Sequence, residues 1–422
     1  MSRMHAVITV VLFVAGMCGC EDTSTNGDHA QGRVDIGLIT HITGSLSGGG
    51  TDVKEGVELA VDVINGEYDL ALPMAATAGF TNTNMNGDTI RLCIRDDQSD
   101  ETVAGDEVEN LINVDGVVAV IGSYGSAVTE PASEAAENLG IPFMCPVSTA
   151  HSLGQRDFEW FFRTTPELNV FAENYFQFFS DISTDHGFDN IAIMNVDNMW
   201  GNQFGDIVNT LAVNNGYTVV ADIAYEFETD SLDTEVGQLA AAGEAVLMQA
   251  SYIPGALLSM QAYKALEYAP IAIVTYGGGF LDNDFVDSLG TDAENVLSRG
   301  DWALDLATGK PIITDINALF VTRFGRNMNS NSARAFTGMI VLAEAINRAG
   351  STSPEDIKQA LLATDFSAAD TIMPWGGVQF DADTHENVLA GSIMVQIQGG
   401  EYKTVWPSAY ASTDLVWPFP GW

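Results

Sequence analysis

The chain has 422 residues, which is enough for two domains with separate hydrophobic cores. Its 57 acidic and 16 basic residues give a formal net charge of −41 at pH 7. A field of this sign repels nucleic acid and anionic lipid and excludes both as binding partners, and it favours a protein that works where salt screens its charges.

The first 20 residues have the composition of a targeting segment. A short basic start precedes the apolar run 6–15, which is too short to span a bilayer as a helix, and a glycine directly precedes Cys20. Glycine before cysteine resembles the lipoprotein box of bacteria, so we predict a lipoprotein signal peptide over residues 1–20 and lipidation of Cys20. Secretion without lipidation is the alternative. The polar segment 21–32 is predicted to be a tether between the anchor and the folded part.

The next part of the chain alternates short apolar runs with amphipathic segments. The runs predict buried strands, and apolar residues at helical spacing predict helices. The strands are predicted at 34–41, 89–95, 117–121 and 141–145, and the helices at 52–65, at 101–113 and from the turn 122–126 up to Gly140. Asp52 is a candidate cap of the first helix, and 70–86 is predicted to be a surface insertion. This alternation favours a parallel sheet with helices on both faces.

Residues 117–149 carry the chemistry of the predicted binding site. A buried strand, the glycine- and serine-rich turn 122–126 and a helix leave free backbone N–H groups at the strand's carboxyl end, where a small anion can be held. Ser126, Ser148 and Thr149 bring hydroxyl groups to the same rim. No acid, base or nucleophile accompanies them, which indicates that the site holds a molecule without transforming it. The alternative is that these hydroxyls cap helices or turns, as they commonly do.

After residues 161–166 the alternation starts afresh, which indicates a second α/β unit. Its strands are predicted at 190–196, 217–225, 245–250 and 271–275, and its helices at 168–185, 203–215, 233–242 and 254–267. Three helices without intervening strands follow at 313–325, 332–349 and 354–364. Short strands return over 376–405, before an irregular tail rich in Trp and Pro. Two α/β lobes, with the chain crossing between them more than once, explain this order.

Several short motifs succeed one another along the chain. They are Ile36-Gly37, Thr43-Gly44, Gly56 to Ala60, Asp96-Asp97, Ala119 to Gly122, Pro131-Ala132, Gly140 to Pro142, Ser148-Thr149 and Phe162 to Thr164. Their order resembles that of the type I periplasmic binding proteins of ABC importers, and most of all the branched-chain amino-acid-binding (leucine/isoleucine/valine-binding) proteins. The resemblance covers residues 33–422. It implies an α/β fold of two doubly wound parallel-sheet lobes joined by three hinge crossings.

The resemblance also implies where the chain changes lobe. The crossings are expected near residues 163–166, 297–302 and 370–377. Lobe 1 is therefore expected to comprise residues 33–164 and 300–370, and lobe 2 is expected to comprise residues 165–299 and 371–422.

A protein of this type captures a small solute between its lobes, which close on it as in a Venus flytrap. The resemblance implies that the ligand is an amino acid or a related small amphipathic carboxylate or amide, bound non-covalently and without a cofactor or metal. It further implies a monomer of the periplasm or cell envelope that is joined to the membrane only through lipidated Cys20 and serves a membrane-embedded ABC permease. A ligand-sensing receptor subunit that feeds a signalling partner is the alternative. A hydrolase is disfavoured because the sequence contains none of the usual catalytic motifs.

The resemblance, together with the loop positions of aromatic residues, gives a set of candidate ligand-binding residues. The set is Tyr124, Ser126, Ser148, Thr149, Trp200, Tyr252 and Tyr276. Its three hydroxyl residues correspond to those that hold the ligand's carboxylate, and Trp200 and Tyr252 correspond to contacts in the second lobe. Ordinary packing is the alternative for the aromatic residues. For His41 and His151, at strand or loop ends facing the crevice, a solvated loop position is expected rather than a ligand contact.

Two departures from the family pattern concern the site. Gly277 stands where the family's amino-acid binders place a Glu that pairs with the ligand's ammonium, so no dedicated carboxylate is present unless Asp282 or Asp284 reaches the ligand. The family's frequent disulfide near the first-lobe site is missing as well. Cys93 and Cys145, both in predicted strands, are expected to be buried free thiols, with a disulfide as the alternative.

Overall fold

The computed structural model describes residues 32–422. The predicted signal peptide, the lipidated Cys20 and the tether up to residue 31 lie outside the described residues. In the described part, strands and helices alternate and form two large sheets, one for each of two lobes, as the sequence predicts. Between residues 32 and 422, no helix has both the length and the apolar character that crossing a membrane requires.

The first lobe is built on a five-stranded parallel sheet. Its strands are β1 (Arg33–Thr40), β2 (Thr89–Asp96), β3 (Ala119–Gly122), β4 (Phe143–Cys145) and β5 (Phe161–Arg163). The helices packed on it are α1 (Ser47–Asn65), α2 (Glu101–Asn110) and α3 (Ser126–Leu139). The spatial order β2-β1-β3-β4-β5 reverses direction between β1 and β3, which opens a crevice at the carboxyl ends of these two strands. The segment predicted to interrupt the pattern, 161–166, instead contributes the edge strand β5.

The second lobe is built on a seven-stranded mixed sheet. Its parallel strands are β6 (Asn190–Asp197), β7 (Thr218–Glu226), β8 (Val246–Ala250), β9 (Ala272–Thr275) and β10 (Leu297–Gly300). Its helices are α4 (Leu168–His186), α5 (Met199–Asn214), α6 (Asp233–Ala242), α7 (Ile253–Ala265) and α8 (Asn283–Leu289). Strands β11 (Phe366–Ser367) and β12 (Gly377–Val378) form a separate antiparallel pair, and β13 (Ile393–Gln398) and β14 (Glu401–Trp406) complete the large sheet. Its order is β14-β13-β10-β9-β8-β6-β7, with β13 antiparallel to both of its neighbours.

The three late helices pack against the first lobe. They are α9 (Ile312–Phe324), α10 (Ser330–Ala349) and α11 (Pro354–Leu362). Helix α10 lies against α1 at Gly56, where a Cβ atom would come within 2.3 Å of the Ser332 carbonyl oxygen. Glycine at this position therefore permits close helix packing, and α10 is almost entirely buried. Because these three helices cover the first lobe, they are not part of the strand and helix alternation of the second lobe.

Residues 385–387, which follow the predicted third crossing at 370–377, are bonded to strand β5 of the first lobe. The Arg163 N–H donates to the His385 carbonyl oxygen at 3.1 Å, and the Asn387 N–H donates to the Arg163 carbonyl oxygen at 3.0 Å. The chain thus stays beside β5 until Asn387 and reaches the second sheet only at Ile393. Strands β5 and β10 end at Arg163 and Gly300, within the segments 163–166 and 297–302 where the first two crossings are predicted.

Helix α1 begins at Ser47, five residues before the predicted start and directly before a run of three glycines. Glycine is required there because a Cβ atom on Gly50 would lie 2.0 Å from the His41 carbonyl oxygen. Asp52 is consequently inside the helix, and the expectation that it caps the helix is wrong. Its buried carboxylate instead forms an ion pair with Arg326 at 2.7 Å and accepts a hydrogen bond from Asn329 at 2.6 Å.

The two cysteines of the described residues differ. Cys145 on β4 is a buried free thiol, as expected. Cys93 on β2 is disulfide-bonded, so the expectation of a free thiol is wrong for this residue. The expectation considered only a bond between these two cysteines, and such a bond is prevented because β1 and β3 lie between β2 and β4.

Candidate functional site

A buried hydrogen-bond network fixes the turn that follows β3. The Asp97 carboxylate pairs with Nδ1 of His41 and accepts from the Ser123 hydroxyl at 2.8 Å. The Gly125 N–H donates to Nε2 of His41 at 3.0 Å, so the ring proton lies on Nδ1. His41 therefore stabilises the turn through both of its ring nitrogens. It is fully buried, whereas a solvated position was expected. Because Ser123 contacts the aspartate and not the histidine, these three residues do not form a catalytic triad.

The serine hydroxyls expected at the rim join the turn to the end of β4. Ser148 Oγ lies 2.6 Å from the Thr129 hydroxyl and donates to the Tyr124 carbonyl oxygen at 3.0 Å. Ser126 Oγ accepts from the Ala150 N–H at 3.2 Å. Ser148 is thus committed to the local structure, whereas the Ser126 hydroxyl keeps its proton for a further acceptor.

Thr149 connects the two lobes directly. Its Oγ1 accepts one hydrogen bond from the indole N–H of Trp200 at 3.0 Å and another from the Tyr276 hydroxyl at 3.1 Å. Thr149 follows β4 of the first lobe, whereas Trp200 lies in the first turn of α5 and Tyr276 follows β9 of the second lobe. Both donors are buried, so the lobes are in contact at this point.

Aromatic rings of both lobes form a continuous wall beside Thr149. The ring centroids of Trp200 lie 4.8 Å from Tyr252 and 5.4 Å from Tyr276, and those of Tyr124 and Tyr252 are 6.0 Å apart. Burial raises the pKa of Tyr276 to about 12 and raises that of Tyr252 as well, so both phenols are neutral near pH 7.

A small space, here called the inner cavity, lies between the lobes at this wall. Its volume is about 20 Å³, which is room for one water molecule. Its lining comprises Tyr124, Ser126, Val147, Ser148, Thr149, Trp200, Tyr252, Gly278, Arg299, Asn331 and Arg334. Six of the seven candidate residues are therefore in the lining, and Tyr276 contacts it through Trp200 and Thr149. The structure thus brings the whole predicted set together.

Five lining residues were not predicted from the sequence, and three of them have polar side chains, namely Arg299, Asn331 and Arg334. Arg299 is on β10, and the other two are on α10. Arg299 Nη1 and Arg334 Nε both approach Oδ2 of Asp301, at 2.8 and 3.0 Å. Arg334 Nη2 also donates to the Asn331 side-chain oxygen at 2.6 Å. The sequence signal that could have identified the two arginines is that each is a basic residue within an apolar segment of a strongly acidic chain.

A second and larger space, here called the outer cavity, lies beside the inner one and has a volume of about 730 Å³. Its lining includes the acidic residues Asp52, Asp282, Asp284, Asp287, Asp305 and Glu401 and the basic residues Arg326 and Lys403. Burial and the charge of Asp52 raise the pKa of Asp282 to about 7. Asp282 and Asp284 thus line the outer cavity, and neither is in the lining of the inner cavity.

Several acidic residues outside the two cavities have structural partners. Glu386 forms a bidentate ion pair with Arg163 at 2.5 and 2.7 Å, and Asp381 accepts hydrogen bonds from the loop that follows it. Glu167 pairs with the half-exposed His151 at 3.0 Å. Within residues 32–422, no three His, Cys, Asp or Glu side chains are grouped so that they could hold a metal ion.

Comparison with known proteins gives a consistent family. A family model described as periplasmic binding protein matches residues 33–401. Among curated proteins, the chain is 27% identical over 397 residues to the Leu/Ile/Val-binding protein homolog 7 of Brucella abortus (strain 2308), which covers 92% of this chain and 95% of the relative.

Two solved structures of substrate-binding proteins have a similar fold. The branched-chain amino acid transporter substrate-binding protein LivJ of Streptococcus pneumoniae, in complex with isoleucine, has a TM-score of 0.73 at 19% identity and covers 92% of this chain and 100% of its own. A solute-binding protein of an ABC transporter from Rhodopseudomonas palustris BisB5, in complex with 3,4-dihydroxybenzoic acid, has a TM-score of 0.74 at 16% identity and covers 91% and 98%. The two bound molecules differ in chemistry, so the fold alone does not identify a ligand.

Proposed function

The chain belongs to the periplasmic binding protein family, and we propose that it is an extracytoplasmic solute-binding protein of an ABC importer. Its homologues are solute-binding proteins and not enzymes. The proposed cargo is a small amphipathic solute, namely an amino acid or a related carboxylate or amide, held between the lobes. The observation that carries the proposal is the double hydrogen bond of Thr149 to Trp200 and Tyr276, because it joins predicted site residues of both lobes.

The proposed site is the inner cavity. Ser126 and Thr149 would face the ligand's carboxylate, since the Ser126 hydroxyl retains a free proton and Thr149 Oγ1 retains its own. Ser148 would fix the turn that presents Ser126. The aromatic wall, including Trp200, would cover the apolar body of the ligand.

The proposed mechanism is a shift between open and closed forms. A ligand that contacts both lobes favours the closed form only by the contacts that the open form cannot make. In the closed arrangement described here, Thr149 already makes two bonds across the cleft, so the protein contributes part of the closing free energy itself. A ligand larger than one water molecule must enlarge the inner cavity, so we expect it to displace some of these direct contacts.

We further propose the anchor and the lobe boundaries predicted from the sequence, with one adjustment. Residues 33–164 and 300–387 form lobe 1, and residues 165–299 and 388–422 form lobe 2.

Lipidation of Cys20 is tested by incorporation of labelled palmitate into the wild type and Cys20→Ser. Equal labelling of the two proteins would contradict the lipid anchor.

The genes beside this one distinguish an importer from a receptor. Permease and ATPase genes would support an importer, whereas a sensor kinase gene in their place would support the receptor alternative.

Binding is tested by calorimetry with a panel of amino acids, their amides and short carboxylates. Trp200→Ala removes the central ring of the wall, and we expect at least a tenfold loss of affinity for whichever panel member binds. Trp422→Ala is the matched control because this tryptophan is 40% exposed near the end of the chain. If the wild type binds a panel member and Trp200→Ala retains full affinity, the placement of the site is wrong.

A further inference from the structure

The inner cavity carries positive charge in a protein that is otherwise strongly acidic. Arg299 and Arg334 are 2% and 3% exposed, and they are the two ionised side chains among the lining residues. Buried guanidinium groups normally need compensation by carboxylates, because removing a charge from water is costly. The compensation available to these two arginines therefore indicates which ligand charge the cavity accepts.

The two arginines share one carboxylate. Both form their ion pair with Asp301, and both approach the same oxygen, Oδ2. Two positive charges against one negative charge leave this group with one uncompensated positive charge. Arg334 completes its hydrogen bonding with the Val147 carbonyl oxygen at 2.9 Å and with Asn331.

Arg299 has the greater unused capacity. Among the described residues its guanidinium has one hydrogen-bond acceptor, the Asp301 carboxylate, and its buried Nε has no partner. A guanidinium offers five N–H donors in a planar fork that matches a carboxylate. The unpartnered Nε is thus a buried donor available to an anion that enters the cavity.

The position of Arg299 is fixed by its neighbours. Its Cζ lies 3.8 Å from the ring centre of Phe171 and 4.6 Å from that of Tyr276. On a third side, a Cβ atom placed on Gly277 would lie 2.8 Å from the same Cζ. The guanidinium therefore occupies the space above Gly277, and a carboxylate side chain at that position would have to displace it.

From these contacts we infer that the ligand of the inner cavity is a small carboxylate that carries no ammonium group on the neighbouring carbon. This inference rests on the proposed function and specifies its substrate class. The carboxylate offsets the unbalanced charge of the arginine pair and accepts from Arg299. An ammonium one carbon away would lie beside a guanidinium, and like charges in contact repel each other strongly where water is excluded. The aromatic wall favours an apolar or aromatic body.

The test compares ligand pairs that differ only in the ammonium group. The probes are 4-methylpentanoate against leucine and 3-phenylpropanoate against phenylalanine, each titrated calorimetrically at constant salt. We expect at least one acid to bind about 100-fold more tightly than its amino-acid counterpart. Amino acids that bind as tightly as the acids would overturn the inference while leaving the solute-binding function in place. Failure of both acids to bind would overturn it as well, and the amide members of the wider panel then decide the proposed function separately.

Variants of Arg299 test its role. Arg299→Gln removes the charge, and we expect at least a tenfold loss of affinity for the bound acid together with a smaller difference between acid and amino acid. Arg299→Lys keeps the charge without the fork, and an intermediate loss is expected. Lys264→Gln is the control, because it removes one positive charge from an exposed ion pair outside the cavity. Unchanged affinity in both Arg299 variants would contradict the assignment, and the ligand pairs on the wild type remain decisive if Arg299→Gln does not fold.

Discussion

Replacing Thr149 by valine should open the cleft. Valine keeps the shape of threonine but removes the oxygen that accepts from Trp200 and Tyr276. In the closed form both donors would then be buried without an acceptor, at about 1–2 kcal/mol each, whereas in the open form they meet water. The closing equilibrium should therefore shift by about 2–4 kcal/mol, or roughly 30- to 1,000-fold, since 1.4 kcal/mol is a factor of ten.

The distance between the lobes reports this shift. Spin labels on cysteines introduced at Val114 of the first lobe and Val213 of the second, which are 71% and 61% exposed, allow it to be measured by pulsed electron resonance. Thr149→Ser is the control because it keeps the accepting oxygen. We expect the control to retain the wild-type distance and Thr149→Val to add a population of different distance. Identical distance distributions in the two variants would refute the reasoning.

Three further measurements follow from burial and charge. Burial and Asp52 raise the pKa of Asp282 to about 7, so its native form binds a proton more tightly than its unfolded form, and this group makes stability fall as pH rises from about 4 to about 7. Asp282→Asn keeps a helix-capping side chain but cannot ionise. Between pH 4 and pH 7 its free energy of unfolding in urea should therefore rise by roughly 2–4 kcal/mol relative to that of the wild type, and parallel pH profiles of the two proteins would contradict this. Burial raises the pKa of the Cys145 thiol to about 11, so a thiol reagent at pH 8 should modify it at least 100-fold more slowly in the native than in the unfolded protein; comparable rates would place it at the surface. Because of the net charge of −41, the melting temperature should rise from low salt to 2 M NaCl, and a constant or falling value would oppose the inference that the protein works in salt.

Local patterns were sufficient for the strands and most helices. Continuous β-branched runs such as the one ending in β3 are buried on both faces, and the sequence displays them directly. Helix α1 was predicted to begin too late because glycine usually ends helices, whereas here the close approach of His41 to Gly50 requires it. The edge strand β5 was missed because three residues carry too little periodicity.

The candidate site was predictable in part. The hydroxyl and aromatic residues were found because they follow strands at the crevice, where ligands of open α/β sheets bind. The arginines were not found, since Arg334 lies near the start of a helix and Arg299 in a short strand. Arg299 is two residues from Asp301, but Arg334 reaches the same carboxylate only through tertiary packing. The attachment of residues 385–387 to the first lobe was not predicted for a similar reason, because the pairing of Asn387 with Arg163 joins residues that are far apart in the chain.

That pairing bears on how the lobes can move. Arg163 ends the strand from which the first connector departs, and its backbone and side chain also hold residues 385–387, from which the third connector departs. The first and the third connectors therefore start from the same place. The third connector has only the few residues between Asn387 and Ile393 in which to bend. We expect such an arrangement to favour rotation of the lobes about one axis over independent twisting, so that each opening returns the two halves of the cleft to the same alignment.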